Sequence, residues 1–303
     1  TKPSHVIYYG TSVAFLLRVM SWCRRNTVPL IVDVVEWHDP WSMWGGVFSP
    51  VNMSDKASLR FLIPRASGVI AISTFLEKYY RARRCRVVRV PTTLDTCQIR
   101  ARLADARKGD NKLVLAYAGK PGKGRKDLIN SVIEAVLRVN SLANDVHLVI
   151  VGPTPGEILK LPALVQRNAV VLPRCIEAHG RQTPEKALDV VRSADFMPLL
   201  RPLKRFTEAG FPTKVPESLV VGTPVICNLT SDLRDYIHDG AEGLVCGDPS
   251  WMAFAHALKR ALKLSRDQRT AMRQAARMRA EESFDYRVYA DPMRCFLERV
   301  SCS

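Results

Sequence analysis

The feature that most constrains the fold is a regular alternation of short β-branched runs with longer amphipathic segments. The runs HVIYYG, LIVDVVE, GVIAIS and RVVRVP alternate with helix-like segments such as SVAFLLRVMSWCRR and TFLEKYYRARR. Strands that alternate with helices form a parallel sheet that the helices cover on both faces. The alternation therefore predicts a doubly wound α/β fold.

The alternation is interrupted once, which indicates two domains. The stretch from Thr96 to Lys112 is highly charged and has no apolar period, as expected of an interdomain linker. Strand-like runs then resume at LVLAYAG, VHLVIVG, AVVLP, DFMPLL, PVIC and GLVC. We predict a Rossmann-like domain with the linker over residues 1–107, a second Rossmann-like domain over 108–286, and a C-terminal helix over 287–303 that crosses back to the first domain.

Each end of the chain carries a further expectation. The first domain shows about four strand-like runs, whereas a complete Rossmann-like sheet has about six. We therefore expect the opening strands of that domain to be absent from this chain, which begins at Thr1. At the other end, Pro292 lies inside an amphipathic run and is expected to break or kink the last helix.

The charge and the cysteines limit the classes of function. Forty-five Lys and Arg against 29 Asp and Glu give a net charge of +16, which attracts polyanions of every kind. No zinc-ligand spacing, recognition-helix signature or aromatic RNA-binding motif accompanies this charge, so a nucleic-acid partner is not expected. The eight cysteines are scattered without a C-x-x-C pair, which is typical of a cytosolic protein with reduced thiols. The apolar stretch from Val6 to Leu17 is shorter than the roughly 20 residues of a membrane-spanning helix.

The most informative segment is RPLKRFTEAGFPTKVPESLVVGTPV, residues 201–225. A strand leads through a Gly-Phe-Pro-Thr turn into a helix that begins near Thr213, with Pro216 and Glu217 in its first turn. Gly222 then ends the helix. Free N–H groups at such a helix start form an anion site that suits a diphosphate. An ordinary strand-loop-helix connection explains the same pattern.

A basic, glycine-rich loop follows the first strand of the second domain, in LVLAYAGKPGKGRKDLI. Ligands of doubly wound domains bind at the carboxyl ends of the strands, which is where this loop lies. Lysine and arginine can neutralise phosphate charge there, although turns also collect Gly and Lys for structural reasons. The loop contains Gly119, Lys120, Gly122, Lys123, Gly124, Arg125 and Lys126.

These two segments, with the continuation ICNLTSDLRDYIHDGAEGLV, resemble the C-terminal domain of family 4 glycosyltransferases, notably those of bacterial capsule and surface-polysaccharide assembly. The resemblance covers roughly Leu113 to Cys246, with weaker echoes in VIAIS, VPTTLD and DVVEW. It implies the GT-B fold, in which two Rossmann-like domains face a cleft. It also implies transfer of a hexose or related sugar, with retention, from a nucleotide-diphosphate sugar to a glycan or lipid-linked acceptor. No cofactor is implied.

The resemblance also implies roles for residues of the donor site. Lys120 and Arg125 or Lys126 would contact the diphosphate as catalytic groups, next to Gly119, and Glu217 would hold the ribose. Backbone amides in the stretch formed by Phe211, Pro212, Thr213 and Lys214 would cradle the phosphates and the sugar.

Four further positions of the donor site depend on looser matches. The family's two glutamates are separated by seven residues, whereas eight separate Glu208 from Glu217. Glu208 is therefore either the catalytic-site residue that holds the donor sugar's hydroxyls or a surface carboxylate. In HGRQTPEKALDVVRSADFMPLLR, the resemblance implies that Gly180 and Arg181 flank the nucleobase and that Arg201 reaches the sugar phosphate. Surface salt bridges are the competing interpretation of both arginines.

The sequence contains no Asp-x-Asp, the carboxylate pair by which many other sugar transferases hold a divalent cation. A diphosphate leaving group must then be stabilised by fixed positive groups and a helix start. We therefore predict metal-independent transfer.

The candidate acceptor segment is EWHDPWSMWGGVFSP in the first domain, residues 36–50. Aromatic side chains such as Trp37 suit sugar rings or membrane headgroups, and they also pack under long loops. Glu36 or His38 is a candidate base for the acceptor hydroxyl. The basic first domain can face anionic lipid, which suggests a cytoplasmic protein at the inner face of the membrane. Its basic residues include Arg81, Arg83, Arg84 and Arg86.

Three alternatives remain open from the sequence. A nucleotide-sugar epimerase of the same fold would convert its substrate without an acceptor. A non-catalytic polyanion-binding protein would show binding that falls steeply with salt. A fragment that lacks its first strands would bind donor without transferring sugar.

Overall fold

The computed structural model describes residues 2–40, 46–101, 112–120, 126–143 and 145–301. The strand pairs in these ranges are parallel, and helices alternate with the strands, as predicted. Trp41, Trp44 and Arg125 lie outside the described residues. The chain divides into two compact units: the first comprises residues 2–93, 204–211 and 286–301, and the second comprises 94–203 and 212–285.

The strands and helices are numbered in chain order. The strands are β1 (Val6–Tyr9), β2 (Leu30–Val34), β3 (Gly68–Ala71), β4 (Val87–Arg89), β5 (Leu113–Ala118), β6 (Val146–Val151), β7 (Ile176–Ala178), β8 (Met197–Leu199), β9 (Val225–Asn228) and β10 (Gly243–Cys246). The helices are α1 (Val13–Arg25), α2 (Pro50–Ala57), α3 (Thr74–Arg81), α4 (Thr96–Ala101), α5 (Ile129–Ala143), α6 (Pro155–Leu159), α7 (Pro162–Val165), α8 (Pro184–Ser193), α9 (Arg205–Ala209), α10 (Lys214–Val220), α11 (Trp251–Lys263), α12 (Arg266–Phe284) and α13 (Ala290–Ser301).

The first unit is built on a sheet in which β1, β2, β3 and β4 lie side by side in chain order. The inner strands β2 and β3 bury apolar side chains on both faces, as parallel strands covered by helices require, whereas Ile7 and Tyr9 of the edge strand β1 are exposed. Ile31, Ile70 and Val88 of this sheet pack against Phe296 and Val300 of α13. Residues far apart in the chain therefore share one apolar core in this unit.

The second unit carries a sheet with strand order β7-β6-β5-β8-β9-β10. Leu115 of β5 bridges to Phe196 beside β8, and the Ala116 N–H donates to the Phe196 carbonyl at 3.0 Å, which joins the two halves. This order is that of a Rossmann-type sheet, in which the direction of winding reverses between the first and fourth strands. The reversal here lies between β5 and β8.

A large apolar cluster of the second unit lies between this sheet and several of its helices. Leu115, Leu148 and Ile226 of the strands are fully buried, as is Phe254 of α11.

Several helices of both units start at a Ser or Thr whose hydroxyl accepts a backbone N–H of the first turn, which satisfies an otherwise orphaned donor. These N-caps are Ser73, Thr154, Thr183, Ser250 and Ser265.

The predicted strand AVVLP is wrong. Val170 and Val171 are 87% and 73% exposed, and the third strand of this part of the sheet is β7, which follows them. The β-branched run suggested a strand, but the strand propensity of such residues reflects how well their side chains fit a half-buried pleated sheet. Val170 and Val171 do not lie on such a sheet. Asn168, at φ 51°, makes a tight turn immediately before the run.

The structure bears on the predicted linker and on the predicted helix break. The linker stretch opens with helix α4, and residues 102–111 lie outside the described part. Pro292 does not break α13, because it lies in the first turn, where its missing N–H has no intrahelical partner. In the described ranges, no helix combines the length and the apolar character needed to cross a membrane.

Candidate functional site

The carboxyl ends of β5 and β8 mark the place where a doubly wound sheet binds its ligand. Gly119 and Lys120 follow β5, and Arg201 follows β8 after Leu200. Gly119 and Lys120 of the basic loop, together with Arg201, therefore lie at the topological switch point of the second unit.

Three glycines allow the loops at this edge to approach one another closely. The Gly119 N–H donates to the Val151 carbonyl at 2.9 Å, and the Gly152 N–H donates to the Gly180 carbonyl at 2.8 Å. All three have positive φ, 148° at Gly119, 122° at Gly152 and 64° at Gly180, which glycine adopts at little cost. A Cβ on Gly152 would lie 2.3 Å from the Gly119 carbonyl oxygen. The missing side chains at Gly119 and Gly152 therefore allow the close packing at this edge.

Charged side chains from three loops gather at the same edge. Hydrogen bonds from the Thr154 backbone and hydroxyl hold the pKa of Glu157 below its ordinary value, and the charges of Arg181 and Lys120 add to the effect. Lys120, Glu157 and Arg181 follow β5, β6 and β7 respectively, so the sheet brings them together. Two cations beside one carboxylate leave a net positive charge that suits an anion.

Asp127 is a buried carboxylate at the switch point for which the sequence predicted no role. Its Oδ2 accepts hydrogen bonds from the Tyr117 hydroxyl at 2.7 Å and from Lys214 Nζ at 2.8 Å. Arg201 Nε lies 3.7 Å from its Oδ1. Burial, followed by the negative charge of Asp127, raises the pKa of Tyr117. An acidic residue directly after the basic loop was the available signal.

Arg201 is 1% exposed, so solvent does not reach the guanidinium that was predicted to contact the sugar phosphate. Its backbone N–H donates to Asn228 Oδ1 at 2.8 Å, and its carbonyl accepts from Asn228 Nδ2 at 2.9 Å. Direct contact with a donor would need a rearrangement of this segment. In the present arrangement Arg201 supplies buried positive charge beside Asp127.

The predicted helix start is α10, which begins at Lys214 with Thr213 at its N-cap. Phe211 and Pro212 are buried before it, and Thr213 is exposed. Glu217 keeps contact with solvent, yet the surrounding protein removes enough water to raise its pKa above the ordinary value, and Lys214 opposes the shift. A partly desolvated carboxylate is a good hydrogen-bond acceptor for sugar hydroxyls.

Glu208 lies in a different unit from Glu217. It belongs to the short helix α9, whose Ala209 carbonyl accepts a hydrogen bond from the Ser73 hydroxyl at 2.6 Å within the first unit. Glu208 is half-buried there, and its own N–H donates to the Lys204 carbonyl at 3.0 Å. Its role toward the donor sugar stays a prediction, as does that of the exposed Lys126.

Trp37 of the predicted acceptor segment is buried, with 5% of its surface exposed. Its ring makes edge contacts with Phe75 and Tyr79, and the Arg205 guanidinium lies 4.1 Å from its centroid. In this arrangement Trp37 is a packing residue, and a sugar would have to displace Arg205 to stack on that face.

His38 lies between two carboxylates. Nδ1 is 2.9 Å from Asp55 Oδ1 and Nε2 is 3.2 Å from Glu36 Oε2. The hydrogen bonds to Asp55 and then Glu36 raise the pKa of His38 to about 9 against the opposing effect of burial. A histidine with this pKa is protonated at neutral pH, so it serves as a donor and does not suit the predicted role of a base. Glu36 remains the candidate base.

The His38 cluster is expected to make stability fall at alkaline pH. A raised pKa contributes stability that is fully present below pH 6.5 and is lost as the pH rises through about 9. Because the side chain is 35% exposed, we expect about 1–2 kcal/mol after solvent screening. Urea unfolding of His38→Gln and of the unmodified chain at pH 6 and pH 10 measures the difference. The exposed His256→Gln is the control, and an equal loss at pH 10 in all three proteins would contradict the assignment.

Two other features lie apart from these predictions. A cavity of about 460 Å³, lined by residues such as Glu134, Arg138 and Arg167, opens beside the C-terminal half of α5, whereas the candidate site lies at that helix's N-terminal end. Among the described residues, Asp95, Cys97 and Asp285 bring three potential metal-ligand atoms within 4.8 Å of one another. The seven described cysteines are free thiols.

Comparison with known protein families gives a match in the second part of the chain. The family model described as Glycosyl transferases group 1 matches residues 104–279. The sequence has no significant match among curated proteins.

Several solved structures are similar to the chain over nearly its whole length. Anabaena HepE in complex with UDP-glucose matches with TM-score 0.64 and 16% identity over 96% of this chain and 78% of that chain. A glycosyltransferase from Rickettsia africae matches with TM-score 0.66 and 12% identity over 96% and 82%. The lipopolysaccharide outer core galactosyltransferase WaaB matches with TM-score 0.65 and 15% identity over 97% and 75%. At these identities the likeness shows the fold, and it confirms the predicted GT-B fold with two Rossmann-like domains.

Proposed function

Because this chain belongs to the glycosyl transferases group 1 family, we propose that it transfers a hexose or related sugar from a nucleotide-diphosphate sugar to a glycan or lipid-linked acceptor. The transfer proceeds with retention and without a metal ion, as in the family 4 enzymes that the sequence resembles. The UDP-glucose bound by Anabaena HepE supports a nucleotide-sugar donor. The galactosyltransferase WaaB acts on lipopolysaccharide outer core, which supports a role in cell-surface polysaccharide assembly, such as that of a capsule.

The observation that carries the proposal is the collection of cations at the switch point. Lys120 and Arg181 follow β5 and β7, Lys214 is the first residue of α10, and the glycines Gly119 and Gly152 let these segments approach closely. Fixed positive charges stabilise a departing diphosphate most where they need no reorganisation during the reaction. Glu217, partly desolvated at the start of α10, binds the ribose hydroxyls in this proposal.

The acceptor side of the proposal rests on the first unit. Glu36 takes the proton of the acceptor hydroxyl, while protonated His38 orients that carboxylate through their 3.2 Å contact. A cytoplasmic location at the inner membrane face suits a lipid-linked acceptor, because the unit's basic residues attract anionic headgroups. Sedimentation with anionic and with neutral vesicles tests the membrane contact.

Donor binding is expected to weaken about tenfold in Lys120→Ala and about tenfold or more in Glu217→Ala, because hydrogen bonds to charged groups contribute about 1.5–3 kcal/mol. Calorimetric titration with UDP-, GDP- and ADP-sugars, with and without a chelator, measures the affinity and identifies the nucleotide. Lys160→Ala and Glu298→Ala remove exposed side chains of the same types elsewhere and should leave binding unchanged. Binding that needs a divalent cation would refute metal independence, and the absence of binding to every sugar nucleotide would refute the donor site.

A further inference from the structure

Asp127 is held by groups from several parts of the second unit. The carboxylate is 4% exposed, and its partners come from β5, from the segment after β8 and from the start of α10. A buried carboxylate without partners would be strongly disfavoured, and here Tyr117, Lys214 and Arg201 together hold it in place. Asp127 itself lies two residues before α5. It therefore ties four segments together at the switch point.

The Lys214 side chain lies in a space that is open only because residue 119 is glycine. A Cβ on Gly119 would lie 2.2 Å from Lys214 Cε, so the lysine stem crosses the space that any other residue type would fill. Its Nζ lies 5.5 Å from the Tyr117 ring centroid and 2.8 Å from Asp127 Oδ2. The side chain is 21% exposed, so part of it is accessible at the carboxyl end of β5.

We propose that Asp127 is a positioning residue that holds the Lys214 ammonium at the carboxyl end of β5, where the ammonium binds the donor diphosphate. The identity of the ligand rests on the proposed function. A free lysine samples many rotamers, and one held by a buried carboxylate needs no ordering when the anion arrives. Two cations, Lys214 and Arg201, surround one carboxylate, so one positive charge is left for the diphosphate.

A positioning role predicts a change in affinity that is opposite in sign to the one predicted from the charge of Asp127 alone. Asp127 is negative and lies beside the proposed diphosphate site, so its charge taken alone repels the ligand. If Asp127 contributed only that charge, Asp127→Asn would bind nucleoside diphosphates more tightly. If Asp127 positions Lys214, the same substitution weakens binding, because the ammonium is released from its place.

A double-mutant cycle on nucleoside diphosphate binding tests the proposal. Calorimetry with UDP, GDP and ADP is expected to show about tenfold weaker binding in Asp127→Asn and in Lys214→Met, with little further loss in the double variant. Asp239→Asn removes a carboxylate that is paired with Arg260 elsewhere and should leave binding unchanged. Equal or tighter binding by Asp127→Asn, or fully additive losses, would overturn the positioning role.

A second readout does not depend on the ligand. Reductive methylation with a carbon-13 label keeps lysines charged, and NMR reports each dimethyl-lysine, with the Lys214 signal identified by its absence in Lys214→Met. That signal should move toward the position of exposed lysines in Asp127→Asn, and an unchanged signal would refute the contact. Failure of the unmodified chain to bind any nucleoside diphosphate would instead refute the proposed function. Should Asp127→Asn not fold, Tyr117→Phe removes one of the carboxylate's hydrogen bonds and is expected to shift the same signal.

Discussion

Replacing Gly152 with alanine is expected to lower the free energy of unfolding by about 3 kcal/mol and to weaken donor binding at least tenfold. The alanine Cβ would lie 2.3 Å from the Gly119 carbonyl oxygen, which is backbone and cannot rotate away. At φ 122° an L-residue is also strained, by about 1–2 kcal/mol. Relief of the collision requires the ends of β5 and β6 to separate, and that movement displaces Lys120. Urea unfolding and calorimetric titration measure the two effects.

Alanine substitutions at two other glycines distinguish the cost of the steric collision from the cost of the backbone strain. Gly240 has φ 85° with no atom within 4 Å of an added Cβ, so Gly240→Ala should cost about 1 kcal/mol. Gly156 lies in α6 with open space around it, so Gly156→Ala should be neutral or slightly stabilising. Neither should change donor binding. A Gly152→Ala protein as stable as Gly240→Ala would show that the edge of the sheet adjusts freely.

Glu242→Ala is expected to lower the free energy of unfolding by about 3 kcal/mol, since removing one partner of a buried ion pair typically costs about 3–5 kcal/mol. Glu242 is 5% exposed, and its Oε1 accepts hydrogen bonds from Arg279 Nε and Nη2, each at 3.0 Å. Its Oε2 accepts the His238 backbone N–H at 2.9 Å. This carboxylate therefore fastens α12 to the loop before β10.

The same carboxylate should make the second unit sensitive to acid. Burial alone would raise the pKa of Glu242, but the hydrogen bonds from the His238 backbone and Arg279 outweigh it and lower the pKa. A lowered pKa contributes stability that is present above the ordinary value of 4.5 and is lost as the pH falls through the folded-state value. Glu242→Ala should remove this acid dependence. The exposed pair of Arg294 and Asp291 is the control, and Arg294→Ala should change stability by less than about 0.5 kcal/mol.

Much of the donor site could be predicted because its residues are close together in the sequence. Gly119 and Lys120 follow a strand that its apolar run identifies, and the start of α10 follows from proline, a carboxylate and a glycine at the expected offsets. Residues of a loop that joins a strand to the next helix lie at the carboxyl end of that strand, where the ligand binds. The order β7-β6-β5-β8-β9-β10 is one of the few that the rules of α/β connection allow.

The contacts that join distant segments could not be predicted in this way. Asp127 and Lys214 meet across most of the second unit, and no periodicity relates them. His38 was one of two candidates for the base, with Glu36, and its partner Asp55, on α2, makes it a protonated donor. Arg205 covers the ring of Trp37, so a candidate sugar platform is a packing residue.

By itself the sequence determined the elements, their alternation and the loops that carry glycine and positive charge, because these depend on local backbone preference and on periodic burial. The tertiary structure alone decided which charged groups face one another and which of them are buried. It also decided that the AVVLP segment does not form a strand. Protonation and ion pairing depend on through-space distances and on water exclusion, and a pattern along the chain does not encode either quantity. The Lys214 ammonium illustrates both parts: its place at a helix start is local, and its position against Gly119 and Asp127 is tertiary.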